Sequence, residues 1–219
     1  MYLFVNSNNI YRKGHRTKIS KTLPIVVSHY TDDTGYKQEV QKLIGSLHRW
    51  NLPYDIEPIS SLGSWRANSN YCSVLVANML KKYPEDDILR VDADAIFQRF
   101  PELFLEESFD FDIAAHIANF RWHPNELLGG TIFFHNTPTV RQVVDEWVLY
   151  STKVRPNDRN GDILQDILNS GKYPVRFGQL PASYCKIFDI MSYVENPVIE
   201  HFQASRRFKH QVNHRNKTR

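Results

Sequence analysis

The feature that most constrains this chain is a repeated alternation that ends on a pair of aspartates. Pro24-Ile-Val-Val-Ser-His-Tyr-Thr31 is an apolar run of strand length, and the residues after it place Tyr36, Val40, Leu43, Ile44 and Leu47 at helical spacing. Tyr54-Asp-Ile-Glu-Pro-Ile59 alternates like a second short strand. Beyond the loop at Leu62-Gly-Ser-Trp65, the residues Tyr71, Val74, Leu75 and Met79 share one helical face. Pro84-Glu-Asp-Asp87 breaks that helix, and Ile88-Leu-Arg-Val91 forms a third strand whose end delivers Asp92-Ala-Asp94 into a turn. Strands that alternate with helices in this order predict a largely parallel sheet with helices on its faces.

The rest of the chain extends the pattern without repeating it. Further strands are predicted near Phe111 to Ala115 and Thr131 to Phe134. A helix follows, with Thr137 as its cap, Pro138 in its first turn, and Val140, Val143, Val144, Trp147 and Val148 buried. Ile163, Leu164, Ile167 and Leu168 mark a shorter helix, and Val198-Ile-Glu-His201 a last strand or turn. With 219 residues, of which 42% are hydrophobic, one α/β domain has enough apolar material for a core around a mixed, mostly parallel sheet.

Several classes are disfavoured by composition. No apolar run approaches the roughly 20 residues of a membrane-spanning helix, and the first residues do not pattern as an export signal, so a soluble, cytoplasmic protein is expected. Cys72 and Cys185 are too few for a disulfide framework and lack the spacing of a zinc site, which predicts reduced thiols. The net charge of +3 conceals a segregation. Of the 27 Lys and Arg residues, five lie in residues 1–21 and six in residues 205–219, leaving 16 basic against 24 acidic residues between them. The expected organisation is a basic N-terminal arm (1–21), a catalytic domain (22–206) and a basic C-terminal tail (207–219). Such ends could reach toward nucleic acid, or simply be solvated.

Chemistry is expected at the carboxyl ends of the strands, where open α/β sheets bind ligands. Asp92 and Asp94 stand at such an end, flanked by Tyr30 and Thr31 from the first strand. Two hard carboxylates one residue apart suit a divalent cation that neutralises a diphosphate leaving group, although Asp-x-Asp also arises by chance and also caps turns. His201 offers an imidazole ligand and Arg206 a guanidinium able to clasp phosphate. Asp plus His ligation leans toward manganese, with magnesium compatible. Gly129-Gly130-Thr131 permits close backbone approach to a ligand, or is ordinary turn chemistry.

Together, Trp65 with Asn68, Ile88-Leu-Arg-Val-Asp-Ala-Asp-Ala-Ile-Phe97, Gly129-Gly-Thr-Ile-Phe-Phe134 and Val198-Ile-Glu-His-Phe-Gln-Ala-Ser-Arg206 resemble the nucleotide-diphospho-sugar transferases of GT-A fold, in order as well as content, over residues 24–207. The resemblance implies a Rossmann-like sheet and a hexosyl- or pentosyltransferase with a nucleotide-sugar donor, uridine-linked. It implies a metal site of Asp92, Asp94 and His201, and transfer with retention, the leaving phosphate helping to deprotonate the acceptor. It further implies that Tyr30 and Thr31 line the base pocket, that Trp65, Arg66 and Asn68 lie near the nucleotide, and that Gly130 and Thr131 border the donor sugar. Two positions depart from the family pattern. Cys72 stands where relatives often carry Lys, and Asn160-Gly161 where they carry an acid-Gln pair, with Asp158 or Asp162 as the substitute for the sugar-contacting acid.

Two other readings compete. A haloacid-dehalogenase-like phosphohydrolase also uses Asp-x-Asp at a strand end, but on its first strand. A noncatalytic module on a transferase-like fold would grip nucleic acid through its basic ends. An acceptor of DNA bearing hydroxylated bases would combine the transferase reading with those ends, while Phe120-Arg-Trp-His-Pro-Asn125 would serve any acceptor as a loop.

Overall fold

The computed structural model describes residues 22–32 and 35–208; the basic stretch 1–21 and all but the first two residues of the 207–219 tail lie outside the described residues. The first half follows the predicted alternation: β1 (Ile25–Thr31), α1 (Tyr36–Arg49), β2 (Tyr54–Ile59), α2 (Trp65–Lys82) and β3 (Ile88–Val91). Local chemistry sets the boundaries. The Ser64 hydroxyl caps α2 by accepting from the Ala67 amide at 3.1 Å, and Lys81 and Lys82 close it where the helix dipole favours positive charge. Pro84 follows within two residues and cannot continue a helix.

Past β3 come β4 (Ala95–Phe97), β5 (Ile113–Phe120), β6 (His123–Phe134), α3 (Pro138–Leu149), α4 (Asn160–Asn169), β7 (Phe177–Gln179), β8 (Lys186–Ile187) and β9 (Ile199–His201). The main sheet has the order β2-β1-β3-β6-β5-β7, with β2, β1 and β3 mutually parallel and β6 antiparallel to both its neighbours. A small second sheet, β4-β9-β8, lies beside it.

The two-residue period of the strands sorts the core into two layers. Val27, Ile88, Ile132 and Phe134 pack with α2, α3 and α4 around Trp147. Val26, Leu89, Val91 and Phe133 pack with α1 and the small sheet around Phe97 and Phe104. Thr137 caps α3 through Val140, with Pro138 in its first turn, and Val140, Val143, Val144 and Trp147 are buried as the spacing predicts, whereas Val148 is half-buried. Cys72 and Cys185 are unpaired and buried. Among the described residues, no helix is long and apolar enough to cross a membrane.

One expectation is corrected in kind. The segments predicted as short strands near 111–115 and 131–134 belong to a long hairpin of 8 and 12 residues, so Phe120 to Asn125 is the end of β5, a turn and the start of β6 rather than a loop. Polar His123-Pro-Asn-Glu126 has no strand pattern of its own. Pairing with β5 brings it into the ladder, with register shifts after Ala115 and Ala118.

Buried polar side chains fasten the helical layer to the loop beneath the strand ends. The Trp147 indole donates to the Asn160 carbonyl at 2.9 Å, and the Asn160 amide donates to the carbonyl and hydroxyl of Ser69 at 3.2 Å. The Asn70 amide, buried on α2, reaches the carbonyls of Ser151, Pro156 and Asp158 within 3.3 Å. Asn70→Ala is expected to leave those carbonyls short of a donor and to lower stability by about 2 kcal/mol in urea unfolding. An unchanged midpoint would show that water replaces the amide at no cost.

Candidate functional site

The carboxyl ends of β1 and β3 open into a cleft of about 390 Å³, whose floor and walls include His29, Tyr30, Thr31, Asp92, Asp94 and Gly130. Asp92-Ala-Asp94 forms a tight turn closed by the Ala95 amide, which donates to the Asp92 carbonyl at 3.0 Å, and the Asp92 amide donates to the Gly130 carbonyl at 3.0 Å. His201 arrives from far along the chain because β9 pairs with β4 in a register that sets it opposite Ala95.

Ligand atoms of Asp92, Asp94 and His201 all lie within 4.8 Å of one another. Asp94 is 8% exposed; its Oδ2 accepts from the Ala204 amide at 2.6 Å, while its Oδ1 has no hydrogen-bond partner. The His201 ring is bonded through Nε2 to the Thr131 hydroxyl at 2.8 Å, and its Nδ1, also without a partner, lies 3.9 Å from that same Oδ1. Two buried polar atoms facing each other across such a gap are the expected signature of a shared cation, and carboxylate with imidazole is a suitable donor set for one. With a cation in that gap, Thr131 would orient the imidazole from behind.

The electrostatics agree. Burial alone would raise the Asp94 pKa, but His201, the Ala204 amide and Arg90 outweigh it and hold the carboxyl below its ordinary range. Burial would lower His201, yet Asp94 and its neighbours Cys185 and Asp92 raise it to about 10. A proton therefore occupies, in the bare chain, the charge-compensating role that a cation would take over.

Arg90 is a site residue that the sequence pattern does not single out. Only 3% exposed, it donates to Asp92 Oδ1 and to the Gly129 carbonyl, tying the first carboxylate of the turn to β6. A charged residue two positions before the turn in an otherwise apolar strand was the available signal. His29, also unnoticed, is hydrogen-bonded through Nε2 to the Asn68 carbonyl at 2.8 Å, and burial together with Arg90 lowers it to about 4, so it is neutral. Burial likewise pushes the Cys72 thiol up to about 11, which leaves Arg90 as the cation under this part of the floor.

The remaining candidates divide. Trp65, Arg66 and Asn68 line the cleft from the start of α2. Arg66 lies over the Trp65 ring at 5.1 Å, and the Asn68 side chain accepts from the Leu62 amide at 2.7 Å and so shapes the preceding turn. Asp162 also lines the cleft, held by two bonds from Arg159 at 2.7 and 2.8 Å. Asp158 pairs with Arg155 at 2.6 Å. Thr131 is fully buried against His201. Arg206 is half-exposed, ion-paired with Asp189 and set beside Phe188, while its neighbours Gln203 and Ser205 line the cleft.

The glycines act through space rather than through unusual backbone angles. A Cβ at Gly130 would come within 3.0 Å of the His201 ring, and one at Gly161 within 2.9 Å of the Leu127 carbonyl. Small residues here let β6 touch both the histidine and the first turn of α4.

No family model matches the chain, and no curated protein matches it in sequence. Solved structures do match in fold. A glycosyltransferase involved in the glycosylation of the major capsid of PBCV-1 aligns at TM-score 0.65 and 14% identity, over 90% of this chain and 100% of that one. The glycosyltransferase GlyE of Streptococcus pneumoniae TIGR4 aligns at TM-score 0.57 and 18% identity, over 82% of this chain and 55% of that one. Its apo form aligns at TM-score 0.55 and 16% identity, and this chain spans about half the length of GlyE. The chain thus has the glycosyltransferase fold of GT-A type, a mixed sheet flanked by helices.

Two substitutions probe this arrangement. Gly130→Ala is expected to displace the His201 ring and weaken Mn2+ binding, followed by electron paramagnetic resonance, by roughly tenfold or more; unchanged affinity would remove His201 from the ligand set. Arg90→Met leaves the Asp92 carboxylate, 42% exposed, without its partner and is expected to destabilise the fold by about 1–2 kcal/mol in urea unfolding. A loss below about 1 kcal/mol would mean that solvent already screens the pair.

Proposed function

We propose that this chain is a metal-dependent glycosyltransferase that moves a sugar from a nucleoside diphosphate donor, uridine-linked, to an acceptor hydroxyl with retention at the anomeric carbon. The observation that carries the reading is the convergence of Asp92, Asp94 and His201 at the carboxyl end of β3, on the floor of a cleft in a fold shared with glycosyltransferases.

These three side chains would hold the cation, manganese being favoured over magnesium by the imidazole. When bound, the cation supplies Lewis-acid neutralisation of the diphosphate whose charge grows as the donor breaks. The chain's own residues do the rest. Tyr30 and Thr31 border the side of the cleft assigned to the base, and Trp65 and Arg66 the side nearest the nucleotide. Gly130 lets a sugar come close to β6, and Asp162, fixed by Arg159, is the carboxylate assigned to its hydroxyls. In the transfer the bond from the anomeric carbon to the phosphate oxygen breaks as the bond to the acceptor oxygen forms. The acceptor proton passes to the departing phosphate oxygen, so no separate base is needed.

Hydroxylated DNA is a weaker acceptor choice, since the region between the basic ends carries 24 acidic against 16 basic residues and would repel a polyanion. The neighbour involved in glycosylating a capsid supports an acceptor on a protein or a glycan.

Calorimetric titration with nucleoside diphosphates and their sugars, in manganese and then in chelator, tests the reading. Binding of one nucleotide only in the presence of metal is expected, together with its loss in Asp94→Asn, which keeps an oxygen to accept from Ala204 but removes the charge. Binding that ignores both metal and Asp94 would refute the mechanism.

A further inference from the structure

The cleft continues past the carboxylates to the turn of the β5–β6 hairpin. There Trp122 is 70% exposed, with its indole stacked on Phe120 at a centroid distance of 5.1 Å and an angle of 8° between the rings. An exposed indole forgoes much of the stabilisation that burial gives so large a ring. Here one face is covered by Phe120, which restricts the ring, and the molecule gains no core from the arrangement. The outer face is a flat apolar surface on the wall of a polar cleft.

We propose that this outer face is the platform for a pyranose ring of a carbohydrate acceptor. A pyranose is amphipathic in the way such a site requires. Its axial C–H bonds present an apolar face that lies against an aromatic ring, and its equatorial hydroxyls radiate to polar groups around the edge. Those groups are at hand in Glu126, Arg159 and Asp162, which line the same cleft. Arg159 is ion-paired with both Glu126 and Asp162, so the cluster carries no excess positive charge to draw a phosphate backbone. A neutral, hydroxyl-rich ligand is the better chemical match than a nucleic acid, Arg121 at the turn being a single cation.

Sheet order supports the same placement. The cleft crosses β1, β3, β6 and β5 in turn, with Tyr30 at one end, the carboxylates in the middle and Trp122 at the far end. A donor laid across it with its diphosphate at the carboxylates and its base toward β1 points its sugar at β6, and the next molecule in line meets Trp122. The word acceptor rests on the transferase reading; sugar binding at the platform does not.

The test is fluorine NMR of the full chain grown with 5-fluorotryptophan. Its four tryptophans give four lines, and the line lost in Trp122→Phe is that of Trp122. The probes are methyl pyranosides of gluco, galacto and manno configuration, maltose, cellobiose, UDP with diamagnetic Mg2+, and a single-stranded oligonucleotide. The expected result is a saturable displacement of the Trp122 line by at least one of the sugars and none by UDP or the oligonucleotide. The proposal is overturned if the Trp122 line follows UDP or the oligonucleotide, or if no sugar in the panel moves it. Absence of any UDP effect on all four lines and in calorimetry would count against the transferase reading while leaving a sugar response at Trp122 intact.

Discussion

Everything around the cleft depends on keeping Asp94 ionised where little water reaches it. A buried carboxylate without compensation would take up a proton or unfold its surroundings. Compensation comes from the amide of Ala204 at 2.6 Å and the imidazole of His201, both distant in sequence, and from the nearby guanidinium of Arg90. The backbone of the same residue accepts from the Phe202 amide at 3.3 Å. One turn after β3 is thereby fastened to β9 and the residues after it, and the small β4-β9-β8 sheet gains a reason to exist. It carries His201 to the aspartates.

That fastening needs room, and the glycines of β6 and α4 provide it. The His201 ring lies over Gly130, and the first turn of α4 presses Gly161 toward the Leu127 carbonyl. Asn160 extends the contact by accepting from the Trp147 indole through its carbonyl and donating to Ser69 through its side chain. The helical layer, the central strands and His201 are thus in direct contact, which gives the site a rigid support of the kind that metal ligands and sugar-contacting groups need.

The sequence made the first half of the fold legible because short apolar runs, helical spacing and the proline break all agreed there. The aspartates were legible for a local reason, their place at the end of an apolar strand. His201 could be named as a candidate, but its meeting with Asp94 is fixed by the register of β4 on β9, two three-residue strands with almost no pattern of their own. Arg90 was read as a member of an apolar run, although its charge in that run was the clue. The hairpin was cut short because His123 to Gly130 owes its strand conformation to pairing rather than to propensity. Arg206 carried a phosphate-binding side chain in a promising place, yet whether a side chain two, four or five positions past a histidine faces a cleft is decided by the backbone turn. Here that turn sends Gln203 and Ser205 inward and Arg206 to Asp189.

The charges under the cleft form a balanced set. Asp94 and Asp92 contribute two negative charges, Asp92 through its ion pair with Arg90 although burial pushes its pKa upward. Arg90 and the protonated His201 contribute two positive ones, while burial holds His29 and Cys72 beside them neutral, with Arg90's field adding to the effect at His29 and opposing it at Cys72. A divalent ion in place of the His201 proton would change the local sum by a single unit, in the direction that attracts a diphosphate. The bare chain is consequently able to fold with its carboxylates already in place. A cation held by these side chains would displace one proton and would need no rearrangement of the strands.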